Sequence, residues 1–296
     1  MAIIEKYSSP LLHDSDFDFG GRRLRYSLES RQQDRADAPA VVCVHGITRT
    51  RHDFRFLASR LERGFATYAP DLMGHGESEW LGEGLVYRKE MFLAQLSHLL
   101  GRIGQKRLGY VGTSYGGLLG ILLAAEPDRR ISCLVLNDTG PGLDPALFEK
   151  MAKMISYYPV FGSMTSAGVW VRAAMKQSGG ASDEMFDHLL RHGVRQIGPD
   201  KFSLAYDPAL PKLYTEQGQR PADIWDVWEK VKCPVLVVHG RHSQVLTTSM
   251  LERMKATMPG MEVFEVPDAG HFPHLMSVDQ TRYVEDWLAA HLQAQH

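Results

Sequence analysis

The chain has 296 residues and a formal net charge of −2, with 44% hydrophobic and 23% charged residues. This balance is typical of a folded globular protein, and it offers no electrostatic basis for binding nucleic acid or an acidic membrane surface. The length suffices for one large α/β domain with an insertion, or for two small domains.

The three cysteines lie in or beside apolar runs, and their spacing matches neither a disulfide framework nor a metal motif. We therefore expect free thiols in a reducing compartment and no bound metal. The first 20 residues lack the charged and apolar regions of a secretion signal. No apolar run approaches the roughly 20 residues that a membrane helix needs. These features predict a cytoplasmic protein without a membrane span.

Short apolar runs alternate with helical patterns along most of the chain. Residues 23–28 alternate in polarity and predict an edge strand after a turn at Gly20-Gly21. Continuous apolar runs predict buried strands at residues 40–44, 66–69, 108–111, 131–136, 234–238 and 262–266. Apolar spacings of three and four predict helices at residues 51–61, 91–103, 118–125 and 279–291. The predicted fold class is therefore α/β, with a mostly parallel central sheet flanked by helices.

Residues 140–220 interrupt this alternation. They are rich in methionine and aromatic residues, show no continuous buried-strand pattern and contain several proline and glycine turn signals. We predict a helical lid inserted after the strand that ends at Asp138, with residues 1–139 and 221–296 forming the core. The alternative is that the large apolar groups only form the insertion's own small core.

A Gly-x-Ser-x-Gly pattern centred on Ser114 follows one predicted strand and opens a helix. A sharp strand-to-helix turn strains the serine backbone and admits only small neighbours, which Gly112 and Gly116 provide. Such a turn would expose the hydroxyl group beside a helix N-terminus, whose dipole stabilises a developing oxyanion. The alternative is a glycine-rich turn with an incidental serine.

A serine nucleophile needs a neighbouring base, because its free hydroxyl is weak. His271 is the predicted base, since it follows the last predicted strand and lies C-terminal to Ser114; His274 is the alternative. His45 and His75 lie in glycine-flanked turns and are predicted to be structural. His239 and His242 follow the strand at residues 234–238 and are predicted to lie on a loop surface.

Together these motifs resemble the lidded serine esterases of the α/β-hydrolase superfamily. The resemblance spans roughly residues 23–292 and is carried by the segments at residues 45–47, 71–78, 112–116 and 269–272. It implies that the backbone N–H groups of Ile47 and Tyr115 form the oxyanion hole; the position of Tyr115 after the nucleophile indicates the same. It also implies a structural role for Asp71 and no cofactor.

The acid that orients His271 is less clearly marked. In the family it usually follows the strand at residues 234–238, but this chain has Gln244 where related sequences usually have an aspartate. A glutamine cannot balance the charge of an imidazolium. Asp138, at the end of the preceding strand, is the predicted acid, because some members of the superfamily draw it from there. The alternatives are that Asp138 caps a turn, or that Gln244 marks a weakened triad.

The predicted function is hydrolysis of a small-to-medium hydrophobic ester, or a related carbonyl substrate, through an acyl-enzyme intermediate. The same frame also supports carbon–carbon bond hydrolysis, amide or lactone opening, and cofactor-free oxygen chemistry. A ligand-binding protein with weak or absent turnover is the alternative outside enzymes, and Gln244 is the feature that favours it. Neither the substrate nor the oligomeric state follows from the sequence.

Overall fold

The computed structural model describes residues 12–29, 38–82, 85–127, 130–175, 182–215 and 223–292. Within these residues the strands are β1 (Leu12–Phe19), β2 (Arg22–Glu29), β3 (Ala40–Val44), β4 (Ala66–Pro70), β5 (Leu108–Thr113), β6 (Ile131–Asn137), β7 (Val194–Gly198), β8 (Lys201–Leu204), β9 (Val235–Gly240) and β10 (Glu262–Val266). Eight of them form one sheet in the order β1-β2-β4-β3-β5-β6-β9-β10. From β4 to β10 every pairing is parallel. The predicted α/β class with a mostly parallel central sheet is confirmed.

Helices cover both faces of this sheet. They are α1 (Arg55–Leu61), α2 (Lys89–Arg102), α3 (Tyr115–Ala124), α4 (Pro145–Ser156), α5 (Met164–Met175), α6 (Asp183–Gly193), α7 (Lys212–Thr215), α8 (Trp225–Trp228), α9 (Thr248–Thr257) and α10 (Val278–Leu292). A 3-10 helix, Arg51–Phe54, precedes α1. The apolar residues of α2 and α3 pack in one core cluster and those of α1 and α10 in another.

Strand β3 shows why the central strands read as continuous apolar runs. Ala40, Val42 and Val44 belong to one core cluster, while Val41 and Cys43 belong to the other. Side chains alternate between the two faces of a strand, so a strand with helices on both faces needs an apolar residue at every position. This is the pattern from which the strand was predicted.

The polar strand β1 was not predicted, and it displaces β2 from the edge of the sheet. β1 pairs with β2 in an antiparallel hairpin through the predicted Gly20-Gly21 turn, where both glycines have a positive φ. β2 pairs with β4 on its other side. Carboxylates in β1 contact arginines, as in the 3.1 Å pair between Asp16 and Arg25. Because β1 contains several such acidic residues, it lacks the apolar pattern from which the other strands were predicted.

Between β6 and β9 the chain forms helices α4 to α8 and a two-stranded antiparallel sheet of β7 and β8. The hairpin was not predicted, because its strands are largely exposed and carry no buried apolar run. Its turn follows the Gly198-Pro199 signal and places Asp200 at φ 50°. The predicted boundary between residues 220 and 221 lies outside the described residues, as do residues 176–181 of the predicted lid.

Candidate active site

Ser114 stands in a strained turn between β5 and α3. Its backbone has φ 51° and ψ −114°, a conformation that residues other than glycine rarely adopt. The flanking glycines are required sterically: a Cβ at Gly112 would lie 2.6 Å from backbone atoms of Gly116, and a Cβ at Gly116 would overlap the carbonyl oxygen of Val44. The turn thus has the geometry that was predicted from the Gly-x-Ser-x-Gly spacing.

Ser114, His271 and Asp138 form a continuous line of hydrogen bonds. The Ser114 Oγ and His271 Nε2 atoms are 2.9 Å apart, and the His271 Nδ1 and Asp138 Oδ2 atoms are 2.8 Å apart. The Asp138 carboxylate only accepts, so Nδ1 carries the proton and Nε2 is left to accept the Ser114 hydroxyl hydrogen. The Asp138 side chain is fully buried, whereas that of His271 is 28% exposed.

Ser114 and Asp138 are held at one level by adjacent strands. Thr113 of β5 is the register partner of Asn137 of β6, and Ser114 N donates to Asn137 O at 3.1 Å. Asp138 follows directly with φ 52°, the counterpart of the turn at Ser114. The spacing of the two side chains is therefore set by the pairing of β5 with β6.

The loop after β10 brings His271 to this edge. Asn137 Nδ2 donates to the carbonyl oxygen of Pro273 at 2.7 Å. On the other side of His271, Gly240 packs so closely on Gly270 that a Cβ at position 240 would overlap the Gly270 carbonyl oxygen. Both contacts fix the backbone around His271.

The Asp138 carboxylate has two further partners, one at the end of β9 and one in the loop that follows it. Gly240 N donates to Oδ1 at 3.0 Å, and the Ser243 hydroxyl group donates to Oδ2 at 2.5 Å. Ser243 Oγ in turn accepts from the backbone N–H groups of Val245 and Leu246, both at 3.1 Å. Sequence reasoning missed Ser243; its place beside Gln244 after a buried strand was the available signal.

Gln244 is exposed, and it is Asp138 that accepts the hydrogen bond from Nδ1 of His271. His274, the alternative base, accepts from Met276 N at 3.2 Å, while His271 contacts the serine. The prediction of a loop-surface role was wrong for His239, which is buried in β9 with Nε2 at 3.0 Å from the Leu246 carbonyl oxygen.

The backbone N–H of Ile47 belongs to a peptide unit whose carbonyl oxygen is held from two sides. Gly46 O accepts from Arg49 N at 3.0 Å and from His45 Nδ1 at 2.8 Å. In a trans peptide the N–H points away from the carbonyl oxygen, so fixing that oxygen also fixes the N–H direction. Gly46 itself lies against the nucleophile: a Cβ there would be 3.6 Å from Ser114 Cβ.

His45 and His75 are buried and structural in their contacts, as predicted. His45 Nε2 accepts from Leu72 N at 3.0 Å, and His75 Nε2 lies 2.6 Å from the carbonyl oxygen of Ile47. Burial lowers the pKa of both imidazoles to about 4, so they are neutral at pH 7. Tyr115, the other predicted oxyanion residue, begins α3, which places its backbone N–H at the positive end of the helix.

Asp71 forms a buried ion pair with Arg51, away from His271. Its carboxylate also accepts from Arg51 N at 2.8 Å and from Glu77 N at 3.0 Å, which is the structural turn that was predicted. The three cysteines are free and buried, and burial raises the pKa of the Cys43 and Cys133 thiols. Within the described residues, no cluster of three or more candidate ligands could hold a metal ion, and no helix is long and apolar enough to cross a membrane.

Comparison with known proteins assigns the chain to a family. The chain is 30% identical over 248 residues to a 3-hydroxybutyrate-oligomer hydrolase of Cupriavidus necator, covering 81% of this chain and 85% of that protein. It is 24% identical to a 2-hydroxy-6-oxo-2,4-heptadienoate hydrolase of Pseudomonas putida, covering 92% and 97%. The crystal structure of an α/β hydrolase from Novosphingobium aromaticivorans superposes with a TM-score of 0.82 at 27% identity, covering 95% and 99%. The profile of the alpha/beta hydrolase fold matches residues 39–277. The chain therefore belongs to the α/β-hydrolase family of enzymes.

Proposed function

We propose that this enzyme is a serine hydrolase that cleaves a small-to-medium hydrophobic ester through an acyl-enzyme intermediate. The observation that carries the proposal is the line of hydrogen bonds from Ser114 through His271 to Asp138. Such a line activates a serine hydroxyl, because the imidazole takes its proton while the buried carboxylate stabilises the imidazolium form.

In the first half-reaction Ser114 Oγ attacks the ester carbonyl carbon as its proton moves to Nε2 of His271. The tetrahedral intermediate collapses when Nε2–H protonates the leaving alkoxide, and the alcohol departs from an acyl-Ser114 ester. In the second half-reaction His271 takes a proton from water, whose oxygen attacks the acyl carbon. Collapse then returns the proton to Ser114 Oγ and releases the acid.

The oxyanion that forms in both half-reactions would be stabilised by the backbone N–H groups of Ile47 and Tyr115. The contacts that hold Gly46 O, described above, support this role for Ile47, because a donor fixed before the reaction needs no reorganisation during it. Losing one such donor typically costs about 10²- to 10³-fold in kcat.

We further propose that residues 140–220 form the lid of this site. Helix α6 packs on the core through Leu189. This residue belongs to a small apolar cluster with Phe56 of α1 and Met276, which precedes α10. The methionine-rich and aromatic-rich composition of the insertion fits an apolar acyl or alkoxy chain. An ester of a short hydroxy acid is a specific candidate, since the relative from Cupriavidus necator is named for 3-hydroxybutyrate oligomers.

Carbon–carbon bond hydrolysis is the second candidate, favoured by the relative from Pseudomonas putida that is named for a heptadienoate substrate. A panel of p-nitrophenyl esters from acetate to decanoate, tested beside a vinylogous 1,5-diketone acid, separates the two. Turnover best at intermediate acyl length supports the ester hydrolase; turnover of the diketone acid alone supports the second candidate. Fastest turnover of the acetate, the shortest ester of the panel, would contradict the hydrophobic preference.

The decisive experiment for the nucleophile is intact-mass analysis after incubation with a fluorophosphonate probe. We expect a single adduct on the wild-type protein and none on Ser114→Ala. The absence of an adduct on folded wild-type protein would contradict an activated Ser114 and would bring forward the ligand-binding alternative.

A further inference from the structure

Arg49 presents an unused hydrogen-bonding edge close to the candidate active site. Its Nε donates to Asp53 Oδ2 at 2.9 Å and its Nη2 to Asp53 Oδ1 at 2.7 Å. A guanidinium group has five N–H donors in a fixed plane, so this side-on pair uses two of them. Within the described part of the chain, no hydrogen bond is formed by Nη1 of Arg49, and the end-on edge between Nη1 and Nη2 is left open.

Three contacts place Arg49 between the elements of the active site. A methyl group at Gly46 would lie 3.6 Å from Ser114 Cβ and 3.8 Å from Arg49 Cγ, so the nucleophile and the arginine flank the same glycine. Arg49 Cζ lies 5.7 Å from the ring centroid of Phe272, the residue after His271. Arg49 therefore lies with its aliphatic stem beside the Gly46 turn and its guanidinium group beside the loop of His271.

The insertion approaches Arg49 from the remaining side at Gly193, the last residue of α6. A Cβ at Gly193 would lie 3.2 Å from Arg49 Nη1, tighter than most contacts of real side chains. A glycine therefore preserves space around the open edge. The Arg49 side chain as a whole is 17% exposed, so it is largely shielded from water while part of it remains accessible.

We propose that the open edge of Arg49 binds a carboxylate of the substrate, and that the enzyme prefers esters that carry a free carboxylate group. This inference rests on the proposed ester hydrolysis at Ser114. A carboxylate matches two parallel N–H donors of a guanidinium group, and such charge-assisted pairs are roughly twice as strong as neutral ones. Asp53 holds the guanidinium plane in place from the adjacent edge, formed by Nε and Nη2, and is a positioning residue.

An apolar chain with a carboxylate at its end satisfies both the arginine and the apolar insertion. Half-esters of dicarboxylic acids and esters of short hydroxy acids have this form. The competing explanation is that the pair of Arg49 and Asp53, four residues apart, only braces the oxyanion turn. The two explanations differ in what they predict for substrates of equal size and different charge.

The test compares each charged ester with its own methyl ester. The substrates are mono-p-nitrophenyl succinate, glutarate and adipate, with the carboxylate in the acyl half, and 3-butyryloxybutanoate, with the carboxylate in the alkoxy half. For at least one length we expect the wild-type kcat/KM to be roughly 10- to 100-fold higher for the carboxylate, the range of a hydrogen bond to a charged group. Equal or lower kcat/KM at every length would overturn the proposal.

The arginine variants are chosen so that no carboxylate is left buried without its partner. Arg49→Met alone would strand the carboxylate of Asp53, so the double variant Arg49→Met/Asp53→Leu removes the pair together. We expect the double variant to lose the preference and Arg49→Lys, which lacks the planar fork, to keep only part of it. Arg60→Met, which removes an arginine paired with Glu285 at 3.1 Å, is the matched control and should keep the preference. Equal losses for charged and neutral esters in the double variant would instead support the bracing role.

A binding measurement separates failure of this inference from failure of ester hydrolysis. Calorimetry on Ser114→Ala should show that monomethyl glutarate binds at least tenfold more tightly than dimethyl glutarate. Adding Arg49→Met/Asp53→Leu to that variant should remove the difference in affinity. If neutral p-nitrophenyl butyrate is cleaved in a Ser114-dependent way but no carboxylate preference or binding occurs, only the carboxylate site is refuted.

Discussion

Oδ2 of Asp138 accepts hydrogen bonds from both Nδ1 of His271, at 2.8 Å, and the hydroxyl group of Ser243, at 2.5 Å. Asp138 thus stands at the end of β6, while the loop after β9 contributes a hydroxyl donor. A carboxylate that accepts several hydrogen bonds is fixed in its orientation, which in turn fixes the imidazole. A buried carboxylate therefore contacts His271 even though Gln244 is exposed.

Replacing Asp138 with asparagine should lower kcat by about 10³- to 10⁴-fold, because an amide can neither fix the His271 tautomer nor balance an imidazolium. The measurement is the steady-state kinetics of an ester that Ser114 cleaves. Gln244→Asp is the matched control, and we expect its kcat to be unchanged. A large gain in Gln244→Asp would show that the acid position is vacant and that Asp138 is structural.

Ser243→Ala should lower kcat by about tenfold with little change in KM, since it removes one of the three donors to the Asp138 carboxylate. Ser243→Thr keeps the hydroxyl group and should restore most of the rate. Gln244→Ala, one residue away and exposed, controls for general effects on the loop. A Ser243→Ala enzyme with wild-type kcat would mean that Gly240 and the burial of Asp138 suffice to hold the acid.

Two helical glycines should respond in opposite directions to alanine. A Cβ at Gly120 in α3 would lie 2.5 Å from Cε1 of the buried Tyr110 ring, which its own 2.8 Å hydrogen bond to Gly116 O holds in place. Gly120→Ala should therefore destabilise the protein by about 1–3 kcal/mol. Gly101 in α2 has open space at the same position, and Gly101→Ala should stabilise it by about 0.5 kcal/mol. Urea unfolding followed by circular dichroism measures the free energy of unfolding of both variants. Changes of the same sign in the two variants would contradict the packing described around α3.

Acid should weaken the fold through histidines that are buried in the neutral form. Burial lowers the pKa of His192 from 6.5 to about 4, and its ring is stacked on His52 at 3.9 Å between centroids. The unfolded chain takes up this proton near pH 6.5 and the folded protein only near pH 4. The free energy of unfolding should therefore fall as the pH decreases through this window.

His192→Phe keeps the stacking but cannot be protonated, so its free energy of unfolding should depend less steeply on pH between 6.5 and 4. Urea midpoints at half-unit pH intervals provide the measurement, and His242→Phe, at an exposed loop position, is the control for replacing a histidine with phenylalanine. An unchanged slope in His192→Phe would mean that the folded protein already accommodates the charged imidazole, or that other groups dominate.

The central strands and the serine turn were predictable because their patterns are local. Burial on both faces enforces apolar residues along β3, and the strain at Ser114 enforces the glycines beside it. By contrast, β1 and the hairpin of β7 and β8 carry polar or exposed residues, and their strands are stabilised by pairing partners that a sequence window does not contain.

The site required more than local patterns. Choosing Asp138 rather than Gln244 depends on how the loops after β6, β9 and β10 approach one another, and it is Asp138 that contacts His271. Neither Ser243 nor Arg49 belongs to a sequence motif. Ser243 is recognised by its contact with Asp138, more than 100 positions away, and Arg49 by the edge of its guanidinium group that the pair with Asp53 leaves open. Long-range geometry of this kind emerges only when the sheet is assembled.

The register match of Thr113 with Asn137 has a consequence for how activity is gained and lost. Ser114 and Asp138 reach their spacing as soon as β5 pairs with β6, whereas His271 lies on the loop after β10. The proposed triad is therefore complete only when this loop packs against the ends of β6 and β9. Under mild denaturation, catalysis should disappear with the detachment of that loop while the sheet persists, so that turnover reports on the C-terminal segment and not on global folding.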